Sequence, residues 1–277
     1  MLSVQWGNGK MKNIYFLSGL HRSGNTLLSS ILSQHPQVFS SSVSPVCEYM
    51  WAIDDLSFNF ESAIMSDRYD RSQNVISNII KNYYYDVDEQ TIILRDKNWA
   101  TPENIKLIQR YITPDPKIVF TTRPILHVLA SLVLIQYDAI KVDMERNNWI
   151  NKPYLSEYDN MCDFLMRPRG PLDICLLSYI SIMDPEMSGF IHIVEYDHLV
   201  QSPEKIMTDI GKFLSLDDFN YDFNNIENSE KLNYTKLGFN QDLHKVGKNL
   251  KKSSTDPYDI FSDYVLTKYS NLKIFLN

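Results

Sequence analysis

One short segment near the start of the chain restricts the possible folds more than any other feature. An apolar run at residues 14–17 leads, through a loop with glycines at positions 19 and 24, into a helical pattern over residues 25–33 that stops before Pro36. A buried strand, a glycine-containing turn and a helix form the first half of a β-α-β unit, which places the next strand parallel to the first. The segment therefore predicts an α/β protein.

The same alternation recurs three times further along the chain. Apolar strands are predicted at residues 91–94, 117–121 and 190–194, and each is followed by a helix. The second helix has Pro102 and Glu103 in its first turn, and the last begins at residues 202–204 and ends near Leu214. Further helical stretches lie at residues 58–85, 138–166 and 171–184. The pattern predicts a three-layer α/β/α architecture with a mostly parallel central sheet, in a single domain over residues 1–277.

The loop between the first strand and its helix has the composition of a phosphate-binding loop. Backbone N–H groups in such a loop and at a helix N-terminus surround an anion. The spacing is that of a Walker A loop, but Asn25 stands where an NTPase needs lysine. Arg22 would instead direct its guanidinium at a terminal phosphate or sulfate. The alternative is a tight turn with a surface arginine. The candidate ligand-binding residues are Gly19, His21, Arg22, Ser23, Gly24, Asn25 and Thr26.

Composition excludes several other classes of protein. The 277 residues include 27 basic and 34 acidic ones, for a net charge of −7, which argues against a nucleic-acid partner. A local basic pocket would still bind an anionic nucleotide. Three widely spaced cysteines without a CxxC pair predict neither a disulfide framework nor a zinc site. No signal peptide or membrane span is evident, so we expect a cytoplasmic protein without a membrane partner.

Two segments resemble the cofactor-binding motifs of one enzyme family. Residues 16–32, with an Arg-Ser-Gly-x-Thr core, are similar to the 5′-phosphosulfate loop of sulfotransferases that use 3′-phosphoadenosine-5′-phosphosulfate (PAPS), above all in the bacterial and tyrosylprotein branch. His21 replaces a common proline. Arg123 ends the third predicted strand, and Ser131 follows eight residues later, as in the family's pair that binds the cofactor's 3′-phosphate. The resemblance implies a P-loop NTPase-like sulfotransferase fold, PAPS as donor, PAP (3′-phosphoadenosine 5′-phosphate) as product, and no metal.

Weaker resemblances suggest further site residues. Lys97 is similar to a family lysine that contacts the transferring sulfate, where it would stabilise charge on the leaving phosphate. Tyr196 lies in a segment like the one that builds the adenosine site; the alternative is a core tyrosine. The loop that folds over the nucleotide is loosely matched by the tail, with Lys245, Gly247 and Lys248.

The general base that takes the acceptor's proton has no clear match in the sequence. Glu48 is the leading candidate, and its alternative role is that of a helix N-terminal acid favoured by the helix dipole. The predicted catalytic residues are therefore Arg22, Lys97 and Glu48.

Several alternatives stay open at this point. The acceptor would be a hydroxyl or amine on a small molecule, carbohydrate or peptide, and the sequence leaves the oligomeric state undetermined. A P-loop small-molecule kinase explains the loop but not Asn25. A non-catalytic PAP-binding protein explains the absence of a clearly matched base.

Overall fold

The structure is a computed structural model and describes residues 3–5, 11–228, 230, 246–251 and 255–270. Its strands are β1 (Ser3–Gln5), β2 (Met11–Gly19), β3 (Val38–Ser40), β4 (Thr91–Arg95), β5 (Ile118–Thr122) and β6 (Ile191–Glu195). The helices of the first half are α1 (Asn25–Leu32), α2 (Val46–Asn59), α3 (Glu61–Ser66), α4 (Tyr69–Ser77), α5 (Ile79–Tyr83), α6 (Pro102–Tyr111) and α7 (Ile125–Ile135). Those of the second half are α8 (Tyr137–Arg146), α9 (Glu157–Leu165), α10 (Asp173–Leu176), α11 (Ser178–Met183), α12 (Tyr196–Gln201), α13 (Pro203–Leu214) and α14 (Asp263–Ser270). Two 3-10 turns span Ser188–Phe190 and Pro257–Asp259.

Five of the strands form a parallel sheet in the order β3-β4-β2-β5-β6, and β1 adds an antiparallel pairing to the start of β2. The chain leaves the central strand β2, builds β3 and β4 on one side of it, and then crosses to β5 and β6 on the other. The loop after β2 therefore lies at a topological switch point, where parallel α/β sheets open a crevice at the carboxyl ends of their strands.

Alternation of buried side chains along each strand separates two hydrophobic cores. Phe16 and Phe120 point to the face covered by α2, α4 to α11 and α14, whereas Leu17 and Val119 point to the face covered by α1, α12 and α13. Both faces of the sheet are thus buried, as a parallel sheet requires. The predicted three-layer α/β/α fold is confirmed.

All four predicted strand–helix units are present, and the structure adds elements that the sequence patterns did not indicate. Strand β3 has only three residues and lies in a serine-rich stretch, so no apolar periodicity marks it. Helix α12 follows β6 directly and precedes the predicted helix α13. The predicted stretches at residues 58–85 and 138–166 are each divided into shorter helices. Among the described helices, none is long and apolar enough to cross a membrane alone; α7 and α8 reach that length together but meet at 89°.

A buried carboxylate fastens the last described helix to the body of the fold. Asp163, on α9, accepts hydrogen bonds from four groups. These are Lys268 Nζ at 2.7 Å, Tyr269 OH at 2.7 Å, Tyr264 OH at 2.9 Å and Lys152 Nζ. Burial would raise the pKa of Asp163, but these hydrogen bonds outweigh burial and lower the pKa to about 2. The Asp163 cluster is therefore a charged structural contact that depends on ionisation of the carboxyl.

Candidate functional site

The carboxyl ends of β2, β4, β5 and β6 meet at one edge of the sheet and open into a cleft of about 720 Å³. The loops after β2, β4 and β5 supply much of its wall. The rest comes from the starts of α1, α2 and α12, from the second half of α7, and from residues 246, 247, 249–251 and 255. This is the edge at which the sequence predicted a ligand.

Two of the predicted loop residues face inward and hold the loop itself. Ser23 is fully buried, and its Oγ donates to the Leu20 carbonyl at 2.6 Å and contacts Thr121 Oγ1 at 2.7 Å. Asn25 Nδ2 donates to the same Leu20 carbonyl at 2.9 Å. A Cβ on Gly19 would lie 2.2 Å from Thr121 Oγ1, so only glycine allows β2 to end this close to β5. Gly19 and Ser23 do not line the cleft; they position the loop that does.

The N-terminus of α1 faces the cleft. Gly24 is the N-cap residue, with φ at 94°, and residues 24–27 line the cleft. Because Gly24 has no side chain, it cannot cap the first-turn N–H groups, which are suited to an anion. A Cβ on Gly24 would lie 2.9 Å from Tyr196 Cδ2. Glycine at this position therefore lets the Tyr196 ring pack against the loop.

Three predicted residues converge at one end of the cleft. Arg22 Nε donates to Ser131 Oγ at 3.1 Å, and Arg123 donates to the Arg22 carbonyl at 3.5 Å. The Arg123 guanidinium also lies 4.6 Å from the centroid of the Tyr196 ring, a cation–π contact. Burial lowers the pKa of both arginines, and the charge of Arg123 lowers that of Arg22 further. The two guanidiniums repel each other, and a bound anion would relieve the repulsion.

Arg123 passes a direct test of fit to a phosphate. Its Nε atom is buried, and no acceptor for it lies within the described residues. A buried N–H without an acceptor is costly, and a phosphate oxygen supplies a charge-assisted one.

A second group of cleft residues carries charges of both signs. Lys97 and Glu48 are there as predicted, together with Arg95 and Asp96. The Lys97 carbonyl accepts a 2.8 Å hydrogen bond from Ser18 Oγ, which anchors this turn to β2. His21 lies nearby, and burial, followed by the charges of Lys97 and Arg95, lowers its pKa to about 3. His21 is therefore neutral at physiological pH.

The local charge of the cleft is opposite to that of the protein. Its described lining contains five basic residues, Arg22, Arg95, Lys97, Arg123 and Lys251, and two acidic ones, Glu48 and Asp96. A protein of net charge −7 thus presents a positive cleft, which is the condition under which it binds an anionic ligand. Within the described residues, no three His, Cys, Asp or Glu side chains converge to hold a metal ion.

The C-terminal segment contributes to the cleft through one of the three predicted residues and through others that were not predicted. Gly247 lines the cleft, whereas Lys248 does not, and Lys245 lies outside the described residues. The backbone of this segment bonds to residues 223–228, with Ile226 N donating to the Lys248 carbonyl at 2.8 Å. Lys251 lines the cleft instead.

The cleft thus brings together most of the predicted residues. Those that line it are His21, Arg22, Gly24, Asn25, Thr26, Glu48, Lys97, Arg123, Ser131, Tyr196 and Gly247. Sequence reasoning did not place Arg95, Asp96 or Lys251 in the site. The position of Arg95 and Asp96 at the end of a buried strand was a signal for both.

A parallel α/β sheet with a glycine-containing loop at a helix N-terminus and arginines across the switch point is typical of proteins that bind an anionic nucleotide at that edge. Comparison with known proteins gives the family. Residues 15–220 match the model of the sulfotransferase family, and the chain belongs to that family. It is an enzyme that transfers sulfuryl groups, as the resemblance implied. No curated protein matches the chain in sequence.

The chain is also similar to several solved structures. The chain is similar to mouse sulfotransferase SULT7A1 complexed with PAP, at 13% identity and a TM-score of 0.50, over 94% of this chain and 82% of that one. It is also similar to a sulfotransferase from Alicyclobacillus acidocaldarius, at 15% identity and a TM-score of 0.48, over 82% and 89% of the two chains. A sulfotransferase domain from a Synechococcus PCC 7002 olefin synthase matches at 18% identity and a TM-score of 0.44, over 78% of each.

Proposed function

We propose that the cleft binds PAPS across the sheet edge and transfers its sulfuryl group to a hydroxyl or amine of a small molecule, carbohydrate or peptide. The observation that carries the proposal is the contact of Arg22 Nε with Ser131 Oγ at 3.1 Å. It joins the loop after β2 to the residue pair at β5 and α7. One bisphosphorylated nucleotide would therefore reach both parts.

The neighbouring parts of the site have separate tasks. Arg123 and Ser131 would hold the 3′-phosphate, with Tyr196 beneath the guanidinium and beside the nucleotide. The first-turn amides of α1 and Arg22 would hold the 5′-phosphosulfate. Residues 246–251 would cover the nucleotide, with Gly247 allowing close approach of the backbone. The mouse protein of the same fold, a complex with PAP, supports this choice of ligand.

The chemistry needs little beyond positioning and charge. An acceptor oxygen attacks sulfur in line, and negative charge gathers on the departing phosphate. Lys97, fixed through its backbone by Ser18, would stabilise that charge. Glu48, which lines the same end of the cleft, is our candidate for the carboxylate that assists removal of the acceptor's proton.

Two measurements test the proposal. Calorimetry should show binding of PAP that does not require magnesium and is tighter than binding of ATP. A kinase would show the reverse preference, and failure to bind PAP would refute the site. In addition, transfer of ³⁵S from labelled PAPS should be detected on a panel of phenols, alcohols, amines, sugars and peptides.

Lys97→Ala separates turnover from binding. Removing a cation that acts on charge developing in the transition state should reduce kcat by about 10²-fold or more while PAP affinity changes little. Lys106→Ala is the matched control, because Lys106 is an exposed lysine on α6 outside the cleft. Unchanged turnover in the Lys97 variant would remove Lys97 from the mechanism.

A further inference from the structure

We propose that Asp96 is a proton-accepting carboxyl of this enzyme and takes the acceptor's proton as one member of a pair with Glu48. The inference rests on the proposed function, because it assigns a step of that reaction. The sequence analysis did not include Asp96 among the predicted catalytic residues.

The backbone holds the Asp96 carboxyl in a defined position at the cleft. Asp96 is the first residue after β4, and its N–H donates to the Leu17 carbonyl of the neighbouring strand at 3.0 Å. Its Oδ1 accepts the Asn98 N–H at 2.8 Å. That contact fixes one carboxyl oxygen and leaves Oδ2 as the proton acceptor. Asp96 is therefore preorganised, as a catalytic group on a strand end should be.

Asp96 lacks the ion pair that a partly buried carboxylate usually has. Within the described residues, no lysine, arginine or histidine nitrogen lies at ion-pair distance from Asp96 or from Glu48. The neighbouring basic side chain of Arg95 instead donates to the Ser42 carbonyl. Asp96 Oδ1 accepts the Asn98 N–H, but neither carboxyl has an ion-pair partner within the described residues, so both are available to a ligand in the positive cleft.

The surroundings of Asp96 favour proton binding near neutrality. Burial and, to a lesser extent, the charge of Glu48 raise the pKa of Asp96 to about 6, against the opposing effects of the Asn98 N–H and of the charges of Lys97 and Arg95. The titratable and charged groups around it come from four parts of the fold: Glu48 and Cys47 of α2, Arg95 and Lys97 of its own strand and loop, Cys175 of α10, and His21 of the loop after β2. A base with such a pKa is matched to operation near pH 7.

The proposed step balances as follows. The acceptor's O–H bond breaks and its proton passes to Asp96 Oδ2, while the acceptor oxygen forms a bond to sulfur. The bond between sulfur and the bridging oxygen breaks, and PAP leaves with that electron pair beside Lys97. Asp96 then returns the proton to solvent. The negative charge of Glu48 raises the proton affinity of Asp96.

Isosteric variants separate the two carboxyls. Asp96→Asn keeps an oxygen that accepts the Asn98 N–H but cannot take the acceptor's proton. Glu48→Gln removes the negative charge near Asp96. Asp88→Asn is the control, because Asp88 is an exposed aspartate that precedes β4. The probe acceptors are water and phenol, followed as release of sulfate or phenyl sulfate from saturating labelled PAPS between pH 5 and pH 9. PAP affinity and thermal unfolding of every variant show that the fold and the cofactor site persist.

We expect the wild-type rate to rise with pH through an apparent pKa of 6 or above, since bound anionic PAPS adds negative charge near Asp96. Asp96→Asn should lose this dependence and about 10²-fold or more of the rate. Glu48→Gln should move the dependence to lower pH, and Asp88→Asn should match the wild type. An Asp96→Asn enzyme that keeps the dependence and a rate within threefold of wild type would overturn the proposal.

The failure of the proposed function would be distinguishable from failure of this inference. If the wild type binds PAP but transfers to neither probe nor any acceptor of the panel, the transfer reaction is refuted. The carboxyl pair is then judged by ¹³C NMR of labelled aspartate. A resonance that titrates near pH 6, disappears in Asp96→Asn and moves to lower pH in Glu48→Gln supports the pair. An Asp96 resonance near the ordinary value, unmoved by Glu48→Gln, refutes it.

Discussion

Replacing Arg123 with alanine should weaken PAP binding by about 30- to 150-fold. Arg123 is buried, its Nε has no acceptor within the described residues, and its guanidinium stacks on Tyr196. Loss of one charge-assisted contact from such a pocket costs about 2–4 kcal/mol. Arg22 and Ser131 remain beside the site in the variant and still contact the anion, so we expect the lower part of this range, about 2–3 kcal/mol, which corresponds to the stated loss of affinity.

Calorimetry with two nucleotides identifies the group that Arg123 contacts. Adenosine 5′-monophosphate lacks the 3′-phosphate of PAP, so its affinity should change little in Arg123→Ala. The ratio of PAP to monophosphate affinity should therefore fall by nearly the whole 30- to 150-fold. Arg123→Lys should recover part of the loss, because it restores the charge but not the planar fork. Equal losses for both nucleotides would show that Arg123 acts on the adenosine or the fold and would refute the reasoning.

Two further predictions concern stability. Gly19→Ala should lower the free energy of unfolding by about 3 kcal/mol or more, because its Cβ would lie 2.2 Å from Thr121 Oγ1. Gly211→Ala should stabilise the protein slightly, because the new Cβ inside α13 would have no atom within 4 Å. Urea unfolding midpoints equal to that of the wild type would contradict both predictions. Asp163, with its pKa lowered from 3.8 to about 2, contributes about 2 kcal/mol above pH 4 that is lost as the pH falls towards 2. Asp163→Asn should remove this at pH 7 and flatten the acid limb of stability measured by urea unfolding, whereas exposed Asp70→Asn should not.

The parts of the fold that were predictable are those with strong periodicity. Four buried strands, each followed by a helix, are long enough for apolar runs to mark them, and Pro102 and Pro203 mark helix starts. Strand β3 was not predicted, because its three residues are held by pairing with β4, and this long-range contact leaves no local sequence pattern. Helix α12 was not predicted, because its six residues are too few to show helical periodicity.

The site was predictable in its location and less so in the direction of each side chain. Arg123 and Ser131 were found because their spacing resembles that of the family's 3′-phosphate pair, which one strand end and two helical turns bring together. Ser23 and Asn25 look like ligand contacts in sequence, yet both serve the Leu20 carbonyl. A polar side chain in a loop can hydrogen-bond either to a ligand or to the backbone of the loop, and the sequence alone does not distinguish the two.

Asn25 explains how this chain builds an anion site without the lysine of a Walker A loop. At that position an NTPase has a positively charged lysine. In this chain the buried, uncharged amide of Asn25 donates to the Leu20 carbonyl and holds the loop closed. The positive groups come instead from the loop after each of three strands, as Arg22, Lys97 and Arg123. Charge distributed over three strand ends suits a ligand with anionic groups at both ends better than a single polyphosphate chain. Asn25, which argues against nucleotide hydrolysis, therefore also suits a cleft that holds an elongated bisphosphate.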